Sequence, residues 1–265
     1  MEIVEYTLFG KMDRVEQAVE RLRLHEPEEG YWLADSYGKD STVVLELAQL
    51  AGVKFEAHHN RTTLDPPELM RFGRTHHAET TECAPKERFE DTLLRKRCPP
   101  MRHIRWCCDT LKEDGGVGRI VVTGIRWDES TRRRKTRKMF EHCYQKKRAG
   151  TRYLNPIIDW TTADVWEFLN AGKLPRCVLY ERGWKRIGCL MCPMAGPETR
   201  ARHAREYPRF ARRYIRAFQK LVDLGHADGT AFTWKTGQEC FEWWMKDYRG
   251  RKRDVEGQVV MLDQD

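Results

Sequence analysis

The chain has 265 residues, of which 40% are hydrophobic and 33% are charged, and its formal net charge is +8. This length allows one large core or one domain with a smaller appendage, and the composition excludes disordered and fibrous proteins. No apolar run approaches the roughly 18 residues of a membrane span, and the N-terminus lacks the features of a signal peptide, so we expect a cytoplasmic protein with no membrane partner. The nine cysteines are then metal ligands, reactive thiols or core residues rather than disulfides.

Two apolar stretches near the N-terminus predict strands. Tyr31–Ala34 is typical of a buried strand, and residues 53–59 form the next candidate. Between them, residues 36–40 are rich in turn formers and Ser41 is a suitable N-cap. The apolar residues that follow predict a helix that ends at Gly52.

The remaining predicted elements continue this alternation of helix and strand. They are a helix that begins at Pro66 and Pro67, a strand at Ile120–Val122 that runs into a turn at Gly124, and a helix from about Ala163 that is capped by Thr161 or Thr162 and ends at Gly172. The alternation predicts an α/β fold with a doubly wound, mostly parallel sheet. From residue 197 onward the sequence becomes helical and basic, which predicts a helical C-terminal appendage over 197–265.

A polar loop, SYGKDST at residues 36–42, follows the first of these predicted strands. In open parallel sheets, ligands bind beyond the carboxyl ends of the strands. Gly38 allows backbone N–H groups to turn inward, and the N-terminus of the next helix adds its positive dipole end. Further donors are the ammonium of Lys39 and the hydroxyls of Ser36, Ser41 and Thr42. The loop therefore suits a phosphate or pyrophosphate, although a structural turn capped by serines would look similar. The P-loop pattern of kinases and GTPases is absent.

The spacing S-x-G-x-D-S after an apolar strand resembles the pyrophosphate loop (PP-loop) of the adenine nucleotide alpha hydrolases. Three further segments narrow the resemblance: 123–130 (TGIRWDES), 155–166 (NPIIDWTTADVW) and, more loosely, 58–68 (HHNRTTLDPPE). Together they cover roughly residues 30–195 and resemble the phosphoadenosine phosphosulfate (PAPS) reductase family.

This resemblance implies roles for individual residues. Asp40 would organise a Mg²⁺ ion or the loop when ATP is bound, and Arg126 would offer a charged fork to a phosphate or sulfate. The implied catalytic residues are Lys39, Asp40 and Arg126. The implied nucleotide-binding residues are these three together with Ser36, Gly38, Ser41, Thr42 and Gly124. The ligand would be ATP or a sulfonucleotide, either adenylylsulfate (APS) or PAPS.

Four cysteines form two pairs, Cys107 with Cys108 and Cys189 with Cys192, separated by residues 109–188. Four thiolates suit an iron–sulfur cluster or a structural zinc. Zinc sites usually take both pairs as C-x₂₋₄-C, from which a tandem pair departs. Tandem Cys-Cys, about eighty residues, then Cys-x-x-Cys closely resembles the cluster signature of assimilatory APS reductases and implies a [4Fe–4S] cluster, with zinc and core or regulatory thiols as alternatives. The α/β domain that carries both sites would then be residues 1–196. Basic residues flank the pairs and would stabilise bound thiolates: Arg102, His103, Arg105, Lys112, Lys185 and Arg186.

The sequence around Cys240 helps to distinguish sulfur transfer from reduction of a sulfonucleotide. APS and PAPS reductases use a cysteine near the C-terminus in a Glu-Cys-Gly-Leu/Ile-His setting, but here Phe241 follows Cys240 and no histidine comes next. The first hypothesis is therefore ATP-dependent sulfur transfer to a nucleic-acid or other acceptor, as the resemblance to the cluster-bearing sulfurtransferase of DNA phosphorothioate modification implies. The second is reduction of APS or PAPS to sulfite, in which Cys240 attacks the sulfur.

The basic segments 126–152 and 246–253 would hold a nucleic acid in the first hypothesis, although solvated surface runs would look the same. A donor protein would supply sulfur or electrons. A third hypothesis, from a different class, is a metal-stabilised nucleic-acid-binding module without catalysis. The phosphate loop argues against this third hypothesis, because a pure binder has no use for it.

Overall fold

The computed structural model describes residues 3–7, 10–112, 115–230 and 232–246. These residues form two compact units that alternate along the chain. The first unit, the sheet unit, lies within residues 1–61, 65–85 and 113–188, and the second, the helical unit, lies within 62–64, 86–112 and 189–265. The predicted division of the chain after residue 196 stays a prediction.

The sheet unit contains all the strands found in the described part of the chain. They are β1 (Val4–Thr7), β2 (Gly10–Asp13), β3 (Tyr31–Ala34), β4 (Phe55–Asn60), β5 (Thr81–Cys83), β6 (Ile120–Val122), β7 (Phe140–His142) and β8 (Arg152–Leu154). Strands β1 and β2 pair antiparallel in a two-stranded sheet, and the other six form one sheet in the order β5-β4-β3-β6-β8-β7. Neighbouring strands of this sheet are parallel except β7 and β8. The predicted α/β class with a mostly parallel sheet is confirmed.

Five helices belong to the sheet unit: α1 (Arg14–Leu24), α2 (Lys39–Ala51), α3 (Pro67–His76), α6 (Thr131–Thr136) and α7 (Thr162–Ala171). Helix α2 is buried over most of its surface, as its run of apolar residues predicts. It begins at Lys39 with Gly38 as N-cap, so the prediction of Ser41 as N-cap was wrong. Ser41 is the third residue of the helix, and its hydroxyl reaches back to accept from the Gly38 N–H at 3.1 Å.

The strands on both sides of β3, which are β4 and β6, come after it in the sequence. From β3 the chain moves outward through β4 to β5, and then returns to place β6 against the other side of β3. The carboxyl end of β3 therefore lies where the winding of the sheet reverses, which is the position at which open α/β sheets bind ligands. Residues 36–42 follow β3 directly.

The helical unit contains α4 (Phe89–Lys96), α5 (Trp106–Leu111), α8 (Pro197–Glu206), α9 (Pro208–Asp228) and α10 (Gly237–Met245). The helical C-terminal region is thus confirmed. Aromatic rings fill its core: the ring of Tyr214 lies 4.9 Å from that of Trp244 and 5.2 Å from that of Phe89. Among the described residues, no helix has the length and apolar character needed to cross a membrane.

Candidate functional site

The backbone amides at the start of the loop 36–42 are hydrogen-bonded inside the sheet unit. Tyr37 N–H donates to Asp35 Oδ1 at 2.8 Å, and Gly38 N–H donates to Ser41 Oγ at 3.1 Å. Lys39 N–H donates to the hydroxyl of Tyr180 at 2.9 Å. We predicted amides turned inward toward a phosphate. In this structure protein oxygens accept from these three amides, so an anion that bound to any one of them would have to replace its acceptor.

Tyr37 gives the loop an unusual backbone conformation. Its φ is 58°, in the left-handed region that costs a non-glycine residue free energy. The surroundings hold it there: its ring stacks on His59 with centroids 3.9 Å apart, and its N–H bonds to Asp35. Gly73 of α3 leaves room for the ring, because a Cβ at that position would lie 2.3 Å from the ring atoms.

The three predicted catalytic residues come together beside the loop. Lys39 Nζ lies 2.7 Å from Asp40 Oδ2, and Arg126 Nε lies 2.8 Å from Asp40 Oδ1. Arg126 also donates to the carbonyl of Trp160, and its side chain is 2% exposed. Its guanidinium is therefore directed at Asp40 and the backbone, and the phosphate-facing fork that the sequence suggested is not seen.

Gly124 explains how the segment that carries Arg126 approaches the loop so closely. A Cβ at Gly124 would lie 3.0 Å from the backbone carbon and oxygen of Asp40. Any larger residue would push this segment away from the start of α2. Both oxygens of Asp40 are paired with cations, so a Mg²⁺ ion would have to compete with Lys39 or Arg126 for this carboxylate.

The family follows from a direct comparison with known proteins. Residues 30–195 match the model of the phosphoadenosine phosphosulfate reductase domain. The chain belongs to this family. The match spans the loop 36–42, Arg126 and all four paired cysteines.

The proteins similar to this chain include reductases and uncharacterized proteins. An adenosine 5'-phosphosulfate reductase of Burkholderia cepacia is 34% identical over 116 residues, which are 43% of either chain. An uncharacterized protein of Methanocaldococcus jannaschii is 28% identical over 204 residues, which are 71% of this chain and 46% of that protein. This chain thus spans less than half the length of these relatives. A PAPS reductase from Candida auris aligns over 65% of this chain and 88% of its own, with 18% identity and a TM-score of 0.49. Because that score is below 0.5, the family assignment rests on the family match.

The four paired cysteines all lie in the helical unit. Cys107 and Cys108 are on α5, and Cys189 and Cys192 are on the loop before α8. The pKa of Cys107 is raised by its hydrogen bond with Cys108, by burial, and by the charges of Cys108, Cys192 and Cys189. The pKa of Cys108 is lowered by the hydrogen bond from Cys107 and by Arg105, which donates to its Sγ at 3.4 Å. The other three sulfurs therefore lie close enough to Cys107 to influence it electrostatically.

Their side chains do not form a closed metal site in this structure. Within the described ranges, no three Cys, His, Asp or Glu side chains are arranged to hold a metal ion. The donor set itself fits an iron–sulfur cluster, because four half-buried thiols in one unit are the soft ligands that such clusters take. Zinc would accept the same four donors.

Helices α8 and α9 fix the backbone of the Cys189–Cys192 loop. Met191 has a φ of 55°, its N–H donates to His203 Nδ1 at 3.0 Å, and its carbonyl accepts from Arg200 at 3.3 Å. Tyr214 donates to the carbonyl of Leu190 at 3.1 Å. Burial lowers the pKa of His203 to about 4, so at neutral pH its unprotonated Nδ1 accepts the hydrogen bond from the Met191 N–H. No motif in the sequence predicts these contacts from α8 and α9 to the loop.

Cys240 has a different environment. It lies on α10, its side chain is fully buried, and burial raises its pKa to about 12. A buried neutral thiol is a poor nucleophile. The other cysteines without a predicted role are Cys83, Cys98, Cys143 and Cys177. Of these, Cys83 Sγ lies 3.6 Å from His58 Nδ1, but burial raises its pKa.

The first basic segment, 126–152, is divided between buried and exposed side chains. Arg126 and Arg148 are buried, whereas Arg132, Arg134 and Lys135 on α6 are exposed. The second segment, 246–253, lies outside the described residues except for Lys246. Its predicted contact with nucleic acid stays a prediction.

Three residues near the loop were missed by the sequence analysis. Asp35 and His77 form a buried pair beneath the loop, and Tyr180 reaches it from a distant turn. No motif or spacing connects them, because His77 and Tyr180 approach the loop only through the folding of the sheet unit. Asp35 could have been noticed, since a carboxylate directly after a buried strand must find a partner.

Proposed function

We propose that this chain is an iron–sulfur enzyme that binds an adenine nucleotide at residues 36–42 and transfers sulfur, by ATP-dependent thiolation of a nucleic-acid or other acceptor. Family membership and the donor set of four thiols support the proposal. The observation that favours transfer over reduction is the complete burial of Cys240, the cysteine that the reductase hypothesis makes the nucleophile. Reduction of APS or PAPS through a C-terminal thiol needs that thiol to meet the substrate.

The residues around Asp40 would bind and orient the nucleotide. In the proposed reaction an oxygen of the acceptor attacks the α-phosphorus of ATP, and the bond from that phosphorus to pyrophosphate breaks. Lys39 would neutralise charge on the departing pyrophosphate once it exchanges Asp40 for a phosphate oxygen. Arg126 would hold Asp40 in place, and a Mg²⁺ ion would bind to the nucleotide and to Asp40.

The sulfur step replaces the activated oxygen. A sulfide-level donor attacks the adenylated centre of the acceptor, the bond to AMP breaks, and AMP leaves with the oxygen, so that no external electrons are needed. A cluster bound by Cys107, Cys108, Cys189 and Cys192 would hold or deliver this sulfur. A donor protein would replenish it. The exposed cations of α6 would contact the phosphates of a nucleic-acid acceptor, with little sequence specificity.

The alternative function is reduction of APS or PAPS to sulfite. It is supported by the adenosine 5'-phosphosulfate reductases among the relatives, such as that of Burkholderia cepacia. It requires a thiol to attack the sulfur of the nucleotide, and Cys240 would have to leave its buried position to do so. We therefore rank this alternative second.

Binding and turnover distinguish the two functions. Anaerobically purified protein is titrated with ATP, APS and PAPS by calorimetry and then assayed for pyrophosphate and for sulfite. We expect ATP to bind, and pyrophosphate to form when RNA or DNA and sulfide are present. We expect Asp40→Ala to lose both properties. Sulfite formation from APS or PAPS with a thiol reductant, without ATP turnover, would replace the proposed function with the alternative.

A further inference from the structure

A buried histidine–aspartate pair lies directly beneath the phosphate loop. His77, at the end of α3, places Nδ1 2.6 Å from Oδ2 of Asp35, the residue after β3. The side chains are 1% and 0% exposed. Asp35 also accepts from the hydroxyl of Thr80 at 2.8 Å and from the N–H of Tyr37 at 2.8 Å. A carboxylate this deep in a protein requires such complete hydrogen bonding.

The other nitrogen of His77 faces the loop. His77 Nε2 lies 3.3 Å from Oγ1 of Thr42, and this hydroxyl is 3.1 Å from the carbonyl of Gly38. Thr42 is itself buried at 6% exposure, in the first turn of α2. A continuous line of hydrogen bonds therefore connects Asp35 to the loop that would hold the nucleotide.

The protonation of His77 decides the direction of the last bond in this line. Burial would raise the pKa of Asp35, but the hydrogen bond and charge of His77, with the bonds from Tyr37 and Thr80, lower it overall. Asp35 is then a carboxylate that accepts from Nδ1–H, and Nε2 is the atom that gains or loses a proton. When Nε2 is bare it accepts from the Thr42 hydroxyl. When Nε2 is protonated it donates to Thr42, whose own proton then points at Gly38 or at a ligand.

We propose that His77 is a positioning residue for nucleotide binding, which in its protonated form turns the hydroxyl of Thr42 toward a bound phosphate. The proposal rests on the proposed function, because it assumes that the loop binds a nucleotide. Protonated His77 also adds a positive charge below the loop. Phosphate should therefore bind more tightly when His77 is protonated than when it is neutral.

The groups that face His77 leave few other sources for such a pH dependence. The ring of Tyr37 meets His77 edge-on at 5.5 Å, and Phe72 of α3 lies 5.3 Å away. From β4, His59 stacks on the far side of Tyr37 and bonds to the carbonyl of Asp35 at 2.9 Å. The Arg74–Glu82 ion pair and the thiol of Cys83 influence Tyr37 from further away. The experiment must therefore distinguish the effect of His77 from that of His59.

The test compares variants at several pH values between about 5.5 and 8, with ATP and inorganic pyrophosphate as probes in calorimetry. The probe ionises in the same way in every experiment. A difference in pH dependence between a variant and the wild type therefore reports a protonation change in the protein. We expect wild-type affinity to fall about tenfold more across this range than the affinity of His77→Gln. Thr42→Val should lose this additional pH dependence of the affinity, as His77→Gln does, whereas Thr42→Ser should retain it. His59→Gln and the exposed His142→Gln should keep it.

Side-chain ¹⁵N NMR of the unaltered protein gives a second readout that does not depend on how the variants fold. The Nε2 signal of His77 should move toward the protonated position when pyrophosphate binds. An equal pH dependence in wild type and His77→Gln, or an Nε2 signal unaffected by pyrophosphate, would overturn the inference while leaving nucleotide binding intact. Wild-type protein that binds neither probe at any pH would instead overturn the proposed function and this inference together.

Discussion

Arg126 Nε lies 2.8 Å from Asp40 Oδ1, which joins two residues 86 positions apart in the sequence. The guanidinium is almost fully buried, and a quarter of the Asp40 side chain is exposed. The pair therefore anchors the start of α2 to the segment after β6, while Lys39 pairs with the other oxygen of the carboxylate. This arrangement gives Asp40 a fixed orientation next to the loop before any ligand binds.

The first prediction concerns the stability that this pair provides. Arg126→Met would leave the carboxylate of Asp40 without its buried partner, so we expect a loss of about 2 kcal/mol in the free energy of unfolding, measured with urea. Arg95→Met is the control, since its ion pair with Glu87 is exposed and should contribute less than about 1 kcal/mol. A double-mutant cycle with Asp40→Asn isolates the coupling. Equal small losses at Arg126 and Arg95 would refute the anchoring role.

The second prediction concerns the hydroxyl of Tyr180, which accepts from the Lys39 amide at 2.9 Å. An anion that binds at this amide must displace the hydroxyl. Tyr180→Phe removes the competitor, so we expect pyrophosphate to bind about three- to tenfold more tightly, as measured by calorimetry. Tyr31→Phe is the matched control, because its buried hydroxyl donates to the carbonyl of Leu22. Weaker binding in Tyr180→Phe would mean instead that the hydroxyl contacts the ligand.

The third prediction concerns the space around Tyr37. A Cβ at Gly73 would overlap the tyrosine ring, so Gly73→Ala should destabilise the protein by about 1–3 kcal/mol and weaken pyrophosphate binding, although alanine favours helices. At Gly188, a Cβ meets no atom within 4 Å and φ lies outside the left-handed region. Gly188→Ala should therefore change the free energy of unfolding by less than about 0.5 kcal/mol. Similar urea midpoints for both variants would contradict the packing argument.

The fourth prediction concerns Cys240. With a pKa of about 12, only about one molecule in 10⁴ carries the thiolate at pH 8. We expect iodoacetamide to alkylate Cys240 in the folded protein at least about a hundredfold more slowly than it alkylates glutathione, followed by mass spectrometry. Cys240→Ser should keep whatever nucleotide turnover the protein has. Rapid alkylation, together with loss of sulfite formation in Cys240→Ser, would restore the reductase alternative.

The sequence was sufficient for the parts of the fold that local chemistry determines. Tyr31–Ala34 and Ile120–Val122 are strands because short apolar runs suit buried parallel strands, and Thr161 caps α7 through its side chain. The start of α2 was misjudged because serine also caps a helix from its third position, by reaching back to the backbone of Gly38.

The site was only partly accessible to sequence reasoning. A local motif placed Lys39 and Asp40 at the loop, and a second one placed Arg126 near them. These motifs could not show that the guanidinium of Arg126 donates to Asp40 and to a backbone carbonyl. Those hydrogen bonds depend on the close approach of the Arg126 segment to α2, which Gly124 allows. Asp35, His77 and Tyr180 reach the loop from separate elements through tertiary packing, which no short pattern encodes.

We propose that Cys107, Cys108, Cys189 and Cys192 bind one iron–sulfur cluster. The iron and acid-labile sulfide content of anaerobically purified protein, together with its visible absorption, tests this proposal. We expect a brown protein with about four iron atoms and four sulfides per chain; each of the four Cys→Ser variants should lose them and Cys143→Ser should keep them. Colourless protein that contains zinc, or iron that survives in the Cys189→Ser variant, would contradict it.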